Sequence, residues 1–329
     1  MRILVTGGAG FIGSHVVDAY RGLGHEVAVI DNLVRGSERN INPDARLFVG
    51  DIRDRDFIAP VFSGFKPEVL NHHAAQMDVR RGVREPYFDA DVNILGSVVL
   101  LEEAVTHQVR RVIYASTAGA AYGEPEAFPV TERGAVNPIT PYGISKHTVE
   151  HYLYTFSQLY RLSYVVLRYG NVYGPRQSCQ GESGVFAIFA ETMLAGMQPV
   201  LYGDGTKLRD YVYVDDVARA NVAALLRGDG QIFNIASGIP TSDLEVFDIV
   251  RSLLKRDDVQ PTFAQKRPGE IDKICMDISK AQTFLGWTPE VTLADGAKRT
   301  VEFFQRKARN AAASVSTCEP TNGGPNGAD

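Results

Sequence analysis

Residues 2–13 read RILVTGGAGFIG. The run Arg2–Thr6 is short, apolar and partly β-branched, which predicts a strand, and a helical stretch over Ile12–Leu23 follows it. In that strand–turn–helix setting, Gly8-Ala9-Gly10-Phe11-Ile12-Gly13 has the G-x-G-x-x-G spacing of a dinucleotide-binding turn, with Gly7 leading into it. Glycine lets the backbone turn tightly and approach a pyrophosphate, whose charge then meets the helix N-terminus. Asp31 closes the second strand about 20 residues further on, where an acid accepts from ribose hydroxyls. A carboxylate there repels a 2′-phosphate and so favours NAD over NADP, although the nearby Arg35 pulls the other way. The bland alternative is a glycine turn without a ligand and a surface Asp.

Working outward, Glu26–Ile30, Arg46–Val49, Glu68–His72, Arg111–Ala115 and Tyr164–Arg168 read as further strands. Helical stretches lie among them, including Val92–His107 and Pro141–Tyr160. Such alternation predicts an α/β fold of Rossmann type, a doubly wound parallel sheet covered on both faces. After Gly174-Pro175 the pattern breaks. Val214–Leu226 then reads as helix and Gln231–Ile235 as a strand returning to the sheet. The expected organisation is a dinucleotide-binding domain over 1–174, rejoined by 211–238, and a smaller, more irregular substrate lobe over 175–210 and 239–310. From about Ala311 the tail is Gly-, Pro- and polar-rich with nothing to bury, and is expected to be disordered.

Composition narrows the classes. The 329 residues are 44% hydrophobic and 22% charged with net charge -5, ordinary for a soluble enzyme and unlike a phosphate-backbone binder. Cys179, Cys275 and Cys318 are scattered, without metal-ligand spacing, and fit a reducing cytoplasm. Residues 1–5 run straight into a strand, leaving no room for a signal peptide, and no apolar run approaches the ~20 residues of a membrane span. No carboxylate cluster suggests a metal. A cytoplasmic protein is the expectation.

Chemistry gathers further along the chain. Tyr142 and Lys146, at i and i+4, share one helix face. A phenol beside an ammonium that lowers its pKa is a general base suited to a hydroxyl proton, and the same ammonium can bind a nicotinamide ribose. The fifth strand runs on into Ser116-Thr117, whose hydroxyls are suited to a reacting sugar oxygen or, on the bland view, to capping the turn. His72, His73, Ala74 and Ala75 end the fourth strand at the edge where ligands bind. The small Ala residues admit a cofactor closely, and the histidines read as packing rather than catalysis. Asp51-Ile52 follows the third strand and reads either as an adenine contact or as an exposed loop.

Together TGGAGFIGSH, DNL at Asp31–Leu33, HHAAQ, YAST, AYG, PYGISK, LRYGNVYGPRQ and GDGTKLRDYVYVDD resemble the extended short-chain dehydrogenase/reductases, and more narrowly UDP-glucose 4-epimerases and their NAD-dependent nucleotide-sugar relatives. The resemblance covers the chain to about Arg306. It implies Tyr142 as base, Lys146 as its partner and a hydroxyl residue as third member. Counting back from Tyr142 places Thr117 there, whereas counting from Tyr122-Gly123 places Ala118, and Ser116 is the reserve. It further implies Asn32, Asn93 and Tyr169 as cofactor contacts. Asn171, Arg209 and Arg267 would hold the substrate diphosphate, Glu270 would meet the ribose, and Tyr202 would pack on the uracil. Paired arginine donors suit a diphosphate. Each of these has an ordinary alternative as a surface Arg, a salt-bridged Glu or a packed aromatic.

The resemblance also separates neighbouring reactions. Sugar 4,6-dehydratases of the family carry an Asp-Glu pair where this chain has Ala118-Gly119, which argues against dehydration. Gly170 stands where the best-known epimerases have Phe and would widen the pocket. Ile274 falls roughly where a residue limits space near C2. A homodimer is implied, with Val99, Val149 and Leu153 facing the partner. UDP-sugar 4-epimerisation leads. The alternatives are a UDP-glucuronate epimerase or decarboxylase and a non-catalytic NAD-binding regulator, which would need the glycine turn but no Tyr-Lys pair.

Overall fold

The computed structural model describes residues 1–178, 184–266 and 270–316. In chain order the first half contains β1 (Arg2–Thr6), α1 (Phe11–Gly22), β2 (Glu26–Asp31), β3 (Arg46–Val49), α2 (Arg55–Phe65) and β4 (Val69–His72). The short α3 (Val79–Arg84) and α4 (Pro86–Ala90) follow, then α5 (Gly96–Thr106), β5 (Arg111–Thr117), α6 (Gly119–Tyr122), α7 (Pro141–Tyr160) and β6 (Ser163–Tyr169). The second half adds β7 (Asn171–Tyr173), α8 (Val185–Leu194), β8 (Val200–Tyr202), β9 (Leu208–Tyr213), α9 (Val214–Ala224) and β10 (Gln231–Ile235). It ends with β11 (Pro240–Ser242), α10 (Asp243–Leu254), β12 (Thr262–Ala264) and α11 (Leu293–Ser316).

Seven parallel strands form the central sheet in the order β10-β6-β5-β4-β1-β2-β3. Side chains alternate across it, as the two-residue period of a strand requires. Ile3 and Val5 join Val16, Val17 and Tyr20 of α1 and Val217 of α9 on one face. Leu4 joins Ile58 and Phe62 of α2, Leu100 of α5 and Leu153 of α7 on the other. Helices therefore cover both faces, the doubly wound arrangement expected from the sequence. The strand order reverses between β1 and β4, which opens a crevice at the C-terminal edge of the sheet. β10 pairs with β6, so Gln231–Ile235 does return to the sheet. Beyond it, β11-β9-β7 form a three-stranded sheet and β12-β8 a two-stranded one.

Several elements depart from the sequence reading. The single helix expected over Val92–His107 begins instead as a π-helical turn, Asp91–Leu95, before α5. The stretch after Gly238 is more regular than expected. Ser242 and Glu245 form a reciprocal capping box that starts α10, whose Val246, Phe247 and Val250 are buried. Helix α11 continues to Ser316, so the first residues of the supposed tail are helical, and 317–329 lie outside the described residues. Val99, Val149 and Leu153 do not face a partner. All three are buried in the monomer's own core, on the sides of α5 and α7 that pack against the sheet.

Candidate active site

The glycine turn is shaped by contact as well as by conformation. A Cβ on Gly13 would lie 2.2 Å from the Gly7 carbonyl oxygen, so the first turn of α1 can close on the loop only with glycine there. Gly10 caps α1 without a side-chain hydrogen bond, and no acidic residue occupies the first turn. The first amides of Phe11, Ile12 and Gly13 are thus presented at a helix N-terminus, the setting that binds a pyrophosphate. Asp31, at the end of β2, accepts from the amides of Ala9 (3.0 Å) and Leu33 (2.8 Å), which fixes its carboxylate beside the turn. Burial raises its pKa and those two amides pull it back. Arg35, the residue that could favour a 2′-phosphate, is paired with Asp78 at 3.1 Å. Turn, helix terminus and ribose-facing acid fit a dinucleotide without a 2′-phosphate.

Other expected cofactor contacts are committed elsewhere. Asn93 accepts from the Gln76 amide (2.8 Å) and donates to its carbonyl (2.9 Å), which secures the loop after β4. Asp51 is gripped at both oxygens by Arg53 (2.9 and 2.8 Å), whose hydrogen bonds hold its carboxyl down at about 2, a local ion pair that neither sequence reading included. Asn32 reaches Asp51 at 3.4 Å from an exposed position. The Ile52 side chain is buried against Gly96, leaving only its main chain to a ligand. Ala74 donates its amide to the Thr6 hydroxyl (3.2 Å), which draws the end of β4, with Ala75 next in sequence, against the glycine turn.

The two histidines are neutral packing groups. Ser97 donates to the Asn93 carbonyl, so its hydroxyl accepts from His72 Nε2, while Thr6 donates to His72 Nδ1 at 2.7 Å. Burial holds His72 well below its usual range, and burial followed by the Lys146 charge holds His73 at about 3. His73 stacks on Tyr169 and meets its hydroxyl at 3.0 Å. That hydroxyl also accepts from Asn221 (2.8 Å), which turns it into the core.

Helix α7 carries Tyr142 and Lys146 toward the end of β5. Thr140 caps it by accepting from the Gly143 amide, and Pro141 occupies its first position. A Cβ on Gly143 would lie 2.1 Å from the Ala120 carbonyl oxygen, so glycine lets the start of α7 press against α6. Lys146 is buried, with Nζ 4.4 Å from the centre of the Tyr114 ring. Burial pulls it down to about 7, against the fields of Glu150 and Asp89. Burial, then Asp89, pushes Tyr142 up to about 12. The net shift of Tyr142 is upward, from burial and then Asp89, the opposite of the lowering by Lys146 expected from sequence.

Thr117 and Ser116 part company. Ser116 donates to Glu150 Oε1 at 2.6 Å inside a buried cluster in which Arg168 grips the same carboxylate. Successive strand residues point to opposite faces, so the Ser116 hydroxyl is turned away from the side on which Thr117 lies. Thr117, the last residue of β5, is partly exposed, while Ala118 is fully buried, which favours the count that selects Thr117.

The remaining candidates meet in one cavity. Asn171, Tyr202, Arg209 and Glu270 line a cleft of about 300 Å³ together with Lys207, Tyr211 and Asp243. Only Gly170 separates Asn171 from Tyr169, so the chain steps directly from the end of β6 to this cleft. Gly170 does not widen it. A Cβ there would meet the Asp210 carbonyl oxygen at 2.7 Å and Met276 at 2.9 Å, so the space of a larger residue is already filled. Ile274 is likewise fully buried among Ala118, Tyr122 and Met276 and does not border the cleft. Arg267 lies outside the described residues.

A family model described as NAD dependent epimerase/dehydratase matches residues 3–236. The chain belongs to that family. It is 44% identical over 315 residues to the UDP-glucose 4-epimerase of Mycolicibacterium smegmatis, covering 94% of this chain and all of that protein. Among solved structures it is similar to UDP-glucose 4-epimerase of Thermotoga maritima with UDP-glucose, at 47% identity and TM-score 0.92 over 93% of this chain and 99% of that one. The Thermus thermophilus UDP-glucose 4-epimerase complex with NAD matches at 42% identity and TM-score 0.88, again over 93% and 99%.

Within this family frame, the sequence reading missed a second layer. Ser145, between Tyr142 and Lys146, donates to Asp89 Oδ1 at 2.7 Å, and Gln76 donates to Asp89 Oδ2 at 3.0 Å. Glu150, one turn beyond Lys146, is held down at about 2 because bonds from His147, Arg168 and Ser116 outweigh its burial. The i, i+4, i+8 spacing of Tyr142, Lys146 and Glu150 was a readable signal. Asp89 offered none, since only folding brings α4 to α7.

Proposed function

We propose that this chain is an NAD-dependent UDP-glucose 4-epimerase, interconverting UDP-glucose and UDP-galactose through a transient 4-keto sugar. The observation that carries the reading is the meeting of three features at one sheet edge. These are the glycine turn with Asp31, the Tyr142–Lys146 helix whose Lys146 lies over Tyr114 of β5, and the Asn171–Arg209–Glu270 cleft one residue beyond β6. Its relatives named UDP-glucose 4-epimerase support it.

NAD held by the glycine turn and Asp31 would supply a two-electron acceptor and donor for the C4 hydride. Tyr142 takes the 4-hydroxyl proton and gives it back. Lys146 orients the nicotinamide ribose and offsets the charge that develops on the phenol, and Thr117 holds the reacting oxygen. Arg209 and Asn171 fix the diphosphate, and Tyr202 and Glu270 the nucleoside. Anchoring the nucleotide while leaving the hexose loosely held is what lets the keto sugar turn between the two half-reactions.

The same proposal assigns the cofactor to 1–174 with 211–238 and the nucleotide sugar to 175–210 with 239–310. It takes the enzyme to be a cytoplasmic homodimer. Among the described residues no helix is long and apolar enough to cross a membrane, and Cys275 is a free buried thiol. Leu95, Ile144, Tyr152, Tyr154 and Leu159 are exposed apolar positions around α7, suited to a second copy. The experiment is direct. Purified protein is incubated with UDP-glucose, UDP-N-acetylglucosamine or UDP-glucuronate, and the products are identified. UDP-galactose from the first supports the reading, and its absence with turnover of another sugar overturns it.

A further inference from the structure

Lys207 lies just before β9, is only 8% exposed, and extends into the nucleotide-sugar cleft. Its Nζ stands 2.7 Å from Glu270 Oε2 and 3.5 Å from Asp243 Oδ2. Asp243 is itself fixed. It opens α10 behind the Ser242 cap, accepts from the Tyr211 hydroxyl at 3.3 Å, and its amide donates to the Lys207 carbonyl at 3.2 Å. Without the ammonium, two carboxylates would face one another in a partly dry cleft, which is strongly unfavourable. Lys207 therefore holds Glu270 in place at the cleft wall.

We propose that Lys207 is a positioning and specificity-determining residue, bracing Glu270 against Asp243 so that its carboxylate reads the ribose hydroxyls of a nucleoside diphosphate and discriminates against 2′-deoxyribonucleotides. The inference rests on the reading of this cleft as the nucleotide site. A carboxylate offers about four acceptor positions, more than the Lys207 contact alone takes up. An acceptor fixed before binding gains more from a hydroxyl than one that must first be ordered, and a site built for a hydroxyl rejects the ligand that lacks it. An ammonium acting directly on the diphosphate would instead be indifferent to the sugar. That difference is measurable.

The test is competition by UDP and by 2′-deoxy-UDP on the NAD-containing enzyme, in the parent, Lys207→Met, Lys207→Gln and Lys207→Arg. The parent should prefer UDP by about tenfold, the scale of one hydrogen bond to a charged group. Lys207→Met should weaken UDP about tenfold while changing 2′-deoxy-UDP less than about twofold, so the preference collapses. Lys207→Arg, which keeps a cation, should retain it. Lys207→Gln, which keeps polar packing, should lose it in the same direction and serves if the Met variant does not retain its NAD. Equal weakening of both ligands, or an unchanged preference in Met and Gln variants, overturns the proposal. Failure of UDP to bind the parent at all overturns the nucleotide-site reading itself, and is distinguishable because no variant is needed to see it.

Discussion

Ser145 Oγ donates to Asp89 Oδ1 at 2.7 Å, tying the helix that carries Tyr142 and Lys146 to a carboxylate with no solvent exposure. Asp89 favours the protonated form of both groups, raising Tyr142 and opposing the fall of Lys146. Asp89→Asn removes that field, so each group releases its proton at lower pH. The pH–kcat profile is expected to move as a whole toward acid, by about half a unit or more. Ser145→Ala keeps the carboxylate and is expected to lower the rate without moving the profile. An unmoved profile in Asp89→Asn would show that Asp89 acts through packing alone.

Tyr142→Phe keeps the ring and removes the hydroxyl. Loss of a general base is expected to cost about 10²- to 10⁴-fold in kcat, with NAD still bound through the glycine turn. A Phe enzyme within a few-fold of the parent would rule out the mechanism. Thr117→Ala should lose less. Ser116→Ala should show its effect chiefly in melting temperature, because that hydroxyl belongs to the Glu150–Arg168 cluster.

Asp31 should select the cofactor. Heat-denatured protein is expected to release NAD, identified by chromatography. NADP in its place, or tighter NADP binding after the bound dinucleotide is stripped, contradicts the geometry in which Arg35 is held by Asp78.

Gly143→Ala places a methyl 2.1 Å from the Ala120 carbonyl, a backbone atom that cannot yield cheaply. The expected cost is about 1–3 kcal/mol, read as a lower melting temperature, together with lost activity as the start of α7 carrying Tyr142 is displaced. A silent substitution would mean that α7 is not seated as described.

If the exposed apolar positions around α7 pack on a second copy, Leu95→Glu combined with Tyr152→Glu should yield monomers in sedimentation at micromolar concentration. A parent that is itself monomeric would remove the homodimer from the proposal.

The sequence by itself determined the elements whose logic is local. Strand–helix alternation, the G-x-G-x-x-G turn ahead of α1, Asp31 at a strand end and the helical spacing of Tyr142 and Lys146 all depend on near neighbours. They stand in the structure where the sequence put them. Tertiary structure decided which face a side chain serves and which distant group takes its hydrogen bonds. Asn93 went to Gln76, Ser116 to Glu150, Ile274 into a buried cluster, and Val149 and Leu153 into the sheet-facing core rather than toward a partner. The Asp89–Ser145 bond spans 56 positions and the Lys207–Glu270 pair 63. No periodicity or propensity encodes such pairings, because they exist only once packing has excluded water and each buried polar group must find its partner within the fold.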